Sequence, residues 1–99
     1  MPMTDKEVLE TVRDLLVQAL AVEPNAVTPD ARIMDDLDAE SIDLLDLRFR
    51  LEKAFALSIT SRDLATAFEG VADAAQFRER FTVSALCHYI TRRLGSGGV

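Results

Sequence analysis

The chain has 99 residues, 48% of them apolar, and a formal net charge of −6. That length suits one domain with a modest core, and the acidity argues against nucleic acid as a partner. No stretch is long and apolar enough to span a bilayer, the start carries acids and no signal-type apolar region, and a single cysteine leaves no internal disulfide, so a cytoplasmic protein is expected.

Apolar residues recur at helical spacing in several segments, and no alternating strand pattern is evident. An all-α fold follows. The first helix begins at Thr4, which has capping-box spacing to Glu7. Leu9, Val12, Leu16 and Leu20 line one face, with Val8 and Leu15 beside them. Pro24 stops a simple continuation, so the helix should end near Ala21 or Val22. Residues 23–40, containing Pro24, Asn25 and Pro29, then form a long connection. Loops of this length in compact domains are often functional or packed by their own side chains. Val27, Ile33 and Leu37 are its expected anchors.

The stretch from Asp35 to Phe55 reads as an acidic loop, then a serine, Ser41, at the junction, then the second helix. At about 100° per residue, Leu44, Leu47, Leu51 and Phe55 share one face, a stripe for burial. Ile42, Leu45 and Phe49 make a second apolar stripe on nearly the opposite side, with Asp43 and Asp46 at its edge. An apolar strip flanked by carboxylates is a candidate docking strip; alternatively, another element covers it. Ser41 also has two readings. As an N-cap its oxygen would accept a free backbone N–H. The third helical residue would then be Leu44, and no capping box would form. In the other reading its hydroxyl carries a phosphodiester, which the N–H groups and positive end of a helix favour.

Charge is unevenly distributed along the chain. Residues 1–47 hold twelve acids and three bases, whereas residues 48–99 hold five acids and eight bases. Asp35, Asp36, Asp38, Glu40, Asp43 and Asp46 follow one another with no base between Ile33 and Leu47. Partners meeting that end should carry basic patches and should bind more weakly in salt. Arg48 and Arg50 interrupt the acidic character of the second helix; surface pairing with Asp46, Glu52 or the loop acids accounts for Arg50, while Arg48 borders the core stripe.

After Leu57 and Ile59, a short helix over about 61–68 is expected. Thr60 or Ser61 would cap it, Leu64 and Phe68 would face inward, and Gly70 would stop it. Residues 71–81, with Phe77 and Phe81, read either as an extra helical turn or as a packed loop. Thr82 caps the last helix, whose inward stripe is Val83, Leu86, Ile90 and Leu94. Arg92 and Arg93 fall in its last turn, where they would complement the dipole. Residues 1–94 form the domain, and 95–99 read as a flexible tail. Cys87 and His88 point to different sides of a helix and cannot act as a nucleophile–base pair. Zinc ligands are lacking, no metal site is expected, and no acid–base constellation supports an enzyme.

The run Asp36-Leu37-Asp38-Ala39-Glu40-Ser41-Ile42-Asp43 resembles the acyl carrier protein signature, which usually reads D-L-G-A-D-S-L-D. Glu40 stands where Asp is usual, and Asp38 where Gly is usual. The resemblance extends over most of the chain, including the long loop that delivers the serine. It implies an acyl-carrier-like bundle of three main helices and one short helix, with 4′-phosphopantetheine esterified to Ser41 by a phosphopantetheinyl transferase. The thiol of that arm would hold acyl groups as thioesters for fatty-acid, lipid or polyketide enzymes. Asp36, Asp38, Glu40, Ile42, Asp43, Leu45, Asp46 and Phe49 would dock those enzymes. The protein would be a monomer, with no stable insertion into membranes. The insertion at 71–81, Leu45-Asp46-Leu47 and the Leu86-Cys87 pair are similar to a longer subgroup serving very-long-chain acyl transfer to lipid A; polyketide-type carriers stand beside it. Two alternatives remain at this level. One is an interaction module of the same fold without a prosthetic group. The other is a peptidyl or aryl carrier, whose usual Gly-Gly this chain lacks.

Overall fold

The computed structural model describes residues 4–60 and 74–97. Its elements in chain order are α1 (Asp5–Leu20), a 3-10 turn (Pro24–Ala26), α2 (Ser41–Phe55), α3 (Ala74–Arg80) and α4 (Val83–Gly97). Among the described residues the architecture is all-α, as the periodicity requires. The short helix expected over 61–68 lies outside the described residues.

α1 opens with the expected capping box. Glu7 N–H donates to Thr4 Oγ1 at 3.2 Å, and Thr4 N–H donates to Glu7 Oε1 at 3.0 Å. It closes at Ala21, whose backbone is left-handed with φ 55° and whose N–H returns to the Val17 carbonyl. The buried face is Val8, Val12 and Leu16, with Leu9 and Leu20 partly buried beside it. α1 packs against both α2 and α4.

The long loop is fastened rather than free. Val27, Ile33 and Leu37 are buried as expected, and Ala31, Met34 and Ala39 join them. Its backbone polar groups need partners once buried, and they find them where α4 begins. Ile33 N–H donates to the Phe81 carbonyl and Val83 N–H donates to the Ala31 carbonyl, both at 2.9 Å. This pair forms an isolated antiparallel bridge between Arg32 and Thr82. Ser84 N–H adds a bond of 2.9 Å to the Pro29 carbonyl. The loop's exit, and so the start of α2, is set by a strap to the far end of the chain.

Within the segment 71–81, read as an extra helical turn or a packed loop, Ala74–Arg80 is helical, and residues 71–73 lie outside the described residues. On and beside α3, the Phe77 and Phe81 rings stack with centroids 5.1 Å apart, and Phe81 is buried. Arg78 Nε reaches back to Asp35 Oδ1 at 2.7 Å, tying α3 to the loop. α4 starts as expected, with Ala85 N–H donating to Thr82 Oγ1 at 3.1 Å. Val83, Leu86 and Ile90 are buried, and Leu94 is partly so. The expectation for its C-terminal end needs correction. α4 continues through Gly97, into the segment read as a tail, so Arg92 and Arg93 do not occupy its last turn. Arg93 instead donates to the Tyr89 hydroxyl and to the Ser58 carbonyl, each at 2.8 Å. It holds the segment after α2 against α4.

Candidate functional site at the head of helix α2

Two backbone features place Ser41. Asp38 turns the chain with φ 59°, the left-handed region where glycine is the usual residue. Aspartate is among the few other residues that visit it readily. Asp38 therefore keeps the glycine-like geometry that its identity put in question. The chain then extends through Glu40 (φ −98°, ψ 170°) and enters α2. Glu40, not Ser41, is the capping residue, and its N–H donates to Asp43 Oδ2 at 2.9 Å. The capping box ruled out with Ser41 as cap exists one residue earlier. Ser41 is consequently the first helical residue. It is exposed, and among the described residues nothing engages its hydroxyl.

The arrangement fits a phosphodiester. The oxygen is exposed, and it lies at the positive end of a helix of four turns, whose first-turn N–H groups face an anion. Asp38 and Glu40 oppose a phosphate there, an effect that water and salt keep small at an exposed site.

The surrounding acids are not equivalent. The Arg32 guanidinium grips Asp36 through Nε at 3.1 Å and Nη2 at 3.2 Å, and Arg32 N–H donates to it at 2.7 Å. These bonds hold the Asp36 carboxyl below its ordinary value of 3.8 and raise the pKa of Arg32. Asp35 pairs with Arg78. Asp46 pairs with Arg50 at 2.9 Å, and Arg50 also donates to Gln18 on α1 at 3.3 Å. The negative charge beside Ser41 without a cationic partner among the described residues is therefore Asp38, Glu40 and Asp43. Arg32 and Arg50 flank the acidic run in sequence; Arg78 comes from 43 residues away.

The two stripes of α2 separate as the wheel requires. Leu47, Leu51 and Phe55 are buried, and Leu44 is partly buried. Ile42, Leu45 and Phe49 are 72%, 51% and 57% exposed. Among the described residues no element covers that strip. One turn from Ser41, Leu44 stands at a cavity of about 60 Å³. Leu44, Leu47, Leu51 and Arg48 of α2 form one wall; Ile59, Phe77, Phe81, Leu86 and Tyr89 complete it. Leu44, Leu47 and Leu86 are three of the four residues, with Leu64, that the sequence marks as a core able to open around an acyl chain; Leu64 lies outside the described residues. Phe77 and Phe81, expected to cover something apolar, are part of this wall, and Tyr89 of α4 is the addition that the sequence did not signal.

Comparison with known proteins agrees with this geometry. The family described as "Phosphopantetheine attachment site" matches residues 10–78. An acyl carrier protein of Petrotoga mobilis is 40% identical over 62 residues, 63% of this chain and 73% of that protein. One of Solidesulfovibrio magneticus is 38% identical over 73 residues, covering 74% of this chain and 92% of that protein. A meromycolate extension acyl carrier protein of Mycobacterium tuberculosis is 28% identical over 65 residues, 66% of this chain and 56% of that protein. A match to that family over more than half of the chain makes this a carrier of a prosthetic group. This chain belongs to the acyl carrier protein family, with covalently attached 4′-phosphopantetheine; it is a carrier in fatty-acid and lipid biosynthesis, not itself an enzyme.

No helix among the described residues is long and apolar enough to cross a membrane, and no group of metal-ligating side chains occurs among them. Cys87 is half-buried, and burial pushes its thiol from 9.0 up to about 11. Its role is packing against the core.

Proposed function

We propose that Ser41 is the residue that holds the 4′-phosphopantetheine. The observation that carries this is its position: an exposed, unengaged hydroxyl on the first residue of α2. The group supplies a terminal thiol on which acyl chains are held as thioesters. Ser41 Oγ anchors it, and the first-turn N–H groups of α2 face its phosphate. The cavity beyond Leu44 shelters part of the acyl chain from water. Ile42, Leu45 and Phe49 supply apolar contact to the transferase and to successive acyl-handling enzymes. Asp38, Glu40 and Asp43 attract basic patches on those enzymes, with Asp46 and Asp36 contributing more weakly because arginines already pair them. The carrier works as a single-domain monomer in the cytoplasm. A meromycolate extension acyl carrier protein is among the relatives, and an apolar chain suits the apolar lining of the cavity beyond Leu44.

The test is intact mass after incubation with coenzyme A, Mg²⁺ and a broad-specificity transferase. One phosphopantetheinyl group should be gained by the wild type and none by Ser41→Ala. Gain by Ser41→Ala, or gain by neither protein with several transferases, refutes the assignment.

A further inference from the structure

The outer face of α2 does not carry one sign of charge from end to end. Toward Ser41, the charges without a cationic partner among the described residues are Asp38, Glu40 and Asp43. Toward Phe55 the balance reverses. Arg50 is engaged by Asp46 at 2.9 Å and by Gln18 at 3.3 Å. Glu52 is held on both oxygens: Oε2 accepts from the Ile59 N–H at 2.8 Å, and Oε1 stands 3.9 Å from Arg48 Nε. The Arg48 guanidinium carbon lies 5.8 Å from the centre of the exposed Phe49 ring. Lys53 is exposed, and among the described residues no carboxylate pairs with it. Free negative charge therefore begins this face, and free positive charge ends it.

Position decides whether that cation belongs to the apolar strip. Ile42, Leu45 and Phe49 fall within about 60° of one another around α2, and Lys53 lies about 40° from Phe49, one turn further on. Lys53 thus continues the line of the strip. The helix dipole favours a cation anywhere in the last turn, but it does not require one in line with three exposed apolar side chains. Ten positions separate Asp43 from Lys53, about 15 Å along the axis. A uniformly basic surface laid along that length would set like charge against Lys53, which opposes docking. The complementary surface is basic, then apolar, then acidic.

We infer that the face from Asp43 to Lys53 docks protein partners whose surface runs in that order, with a carboxylate set against Lys53. The opposite charges at its two ends fix which way round a partner lies, so that the partner's basic end meets Ser41. This rests on the proposed docking role of Ile42, Leu45 and Phe49, and the experiment separates the two.

Two helical peptides of about fourteen residues, long enough to span the face, serve as probes. Both have one composition and one leucine stripe. In the first, lysines fill one end and glutamates the other; in the second, the two alternate. Isotope-labelled protein is titrated with each and followed by NMR. The signals of Ile42, Leu45 and Phe49 report docking, and the dissociation constants report the order of charge. The segregated peptide should bind about fivefold more tightly than the alternating one. Lys53→Gln should reduce that preference and Lys53→Glu should abolish it, although Glu makes the protein more acidic. Lys53 is exposed, so neither variant disturbs the core. A spin label on the lysine end of the segregated peptide should broaden Ile42, and one on the glutamate end should broaden Lys53. Equal affinities for the two peptides, a preference that survives Lys53→Glu, or the reverse pattern of broadening overturns the inference and leaves strip docking intact. Unmoved signals of Ile42, Leu45 and Phe49 with both peptides overturn strip docking, and the inference with it.

Discussion

Leu45 and Leu47 offer a controlled contrast on α2. They are the same residue type, two positions apart, so truncation to Ala changes helix propensity equally at both. Leu47 is 2% exposed and Leu45 is 51% exposed. At 47 the loss combines the transfer of a buried side chain with an enlarged cavity, in the range of about 2–5 kcal/mol for such substitutions. A value of about 3 kcal/mol is reasonable where a void already adjoins the side chain. For a domain of this size that lowers the melting temperature by about 12–24 °C. At 45 half the side chain already meets water, so the loss is under about 1 kcal/mol, or at most about 8 °C. Docking should show the reverse order. Leu45→Ala should raise the KM of a transferase about tenfold, the equivalent of about 1.4 kcal/mol of contact energy. Leu47→Ala should leave it near wild type at a temperature where the protein is folded. Circular dichroism melts at 222 nm and transferase kinetics provide the readouts. Equal melting losses at the two sites, or a larger one at 45, would show that the strip is buried and refute the division of α2 into an inner and an outer face.

Other predictions follow from backbone and charge. Ala56 closes α2 with φ 53°, so Ala56→Gly should raise stability by about 1 kcal/mol in chemical denaturation. Asp38→Val, which puts a β-branched residue at φ 59°, should lower it by about 1–2 kcal/mol; a wild-type midpoint would mean the turn is not left-handed. Cys87, with its thiol raised from 9.0 to about 11, should form about a hundredfold less thiolate at pH 8 than an ordinary cysteine. Maleimide should therefore label the holo protein once, on the arm, and leave the Ser41→Ala protein unlabelled over the same interval. Asp36 and Glu7 both have folded-state pKa values below their ordinary 3.8 and 4.5. Their contributions are full above those ordinary values and disappear as pH falls through the lower folded ones. Acid titration should thus leave both the Arg32 clamp and the α1 cap intact down to about pH 4.5; loss of the Arg32 and Asp36 signals from their bound positions above that pH would contradict the geometry.

Much of the site was legible from local pattern. A three-and-four spacing of leucines, a stop at Pro24, and capping residues at Thr4 and Thr82 each act over a few residues, so sequence reports them directly. The same applies to the exposed strip, since Ile42, Leu45 and Phe49 cannot share a face with Leu47 and Leu51 on any α-helix. Helix ends were less legible. Ala21 and Ala56 occupy left-handed caps where composition points to glycine, and Glu40 caps α2 where a serine one residue later was the obvious candidate. Such choices turn on where neighbouring carbonyls and N–H groups find partners, and in the loop that is decided far away.

By itself, then, the order of residues determined the helices, their inner and outer faces, the anchors Val27, Ile33 and Leu37, and the serine that begins α2. Tertiary structure alone decided the rest. It strapped the loop to residues 81–84, and brought Arg78 onto Asp35 from across the chain. It brought Phe77, Phe81 and Tyr89 together with the α2 leucines around an apolar cavity. The reason is the range of the forces involved. Helical periodicity and capping are set within a turn or two of chain, whereas the pairing of a charge or the filling of a cavity depends on which distant segments packing brings within a few ångströms.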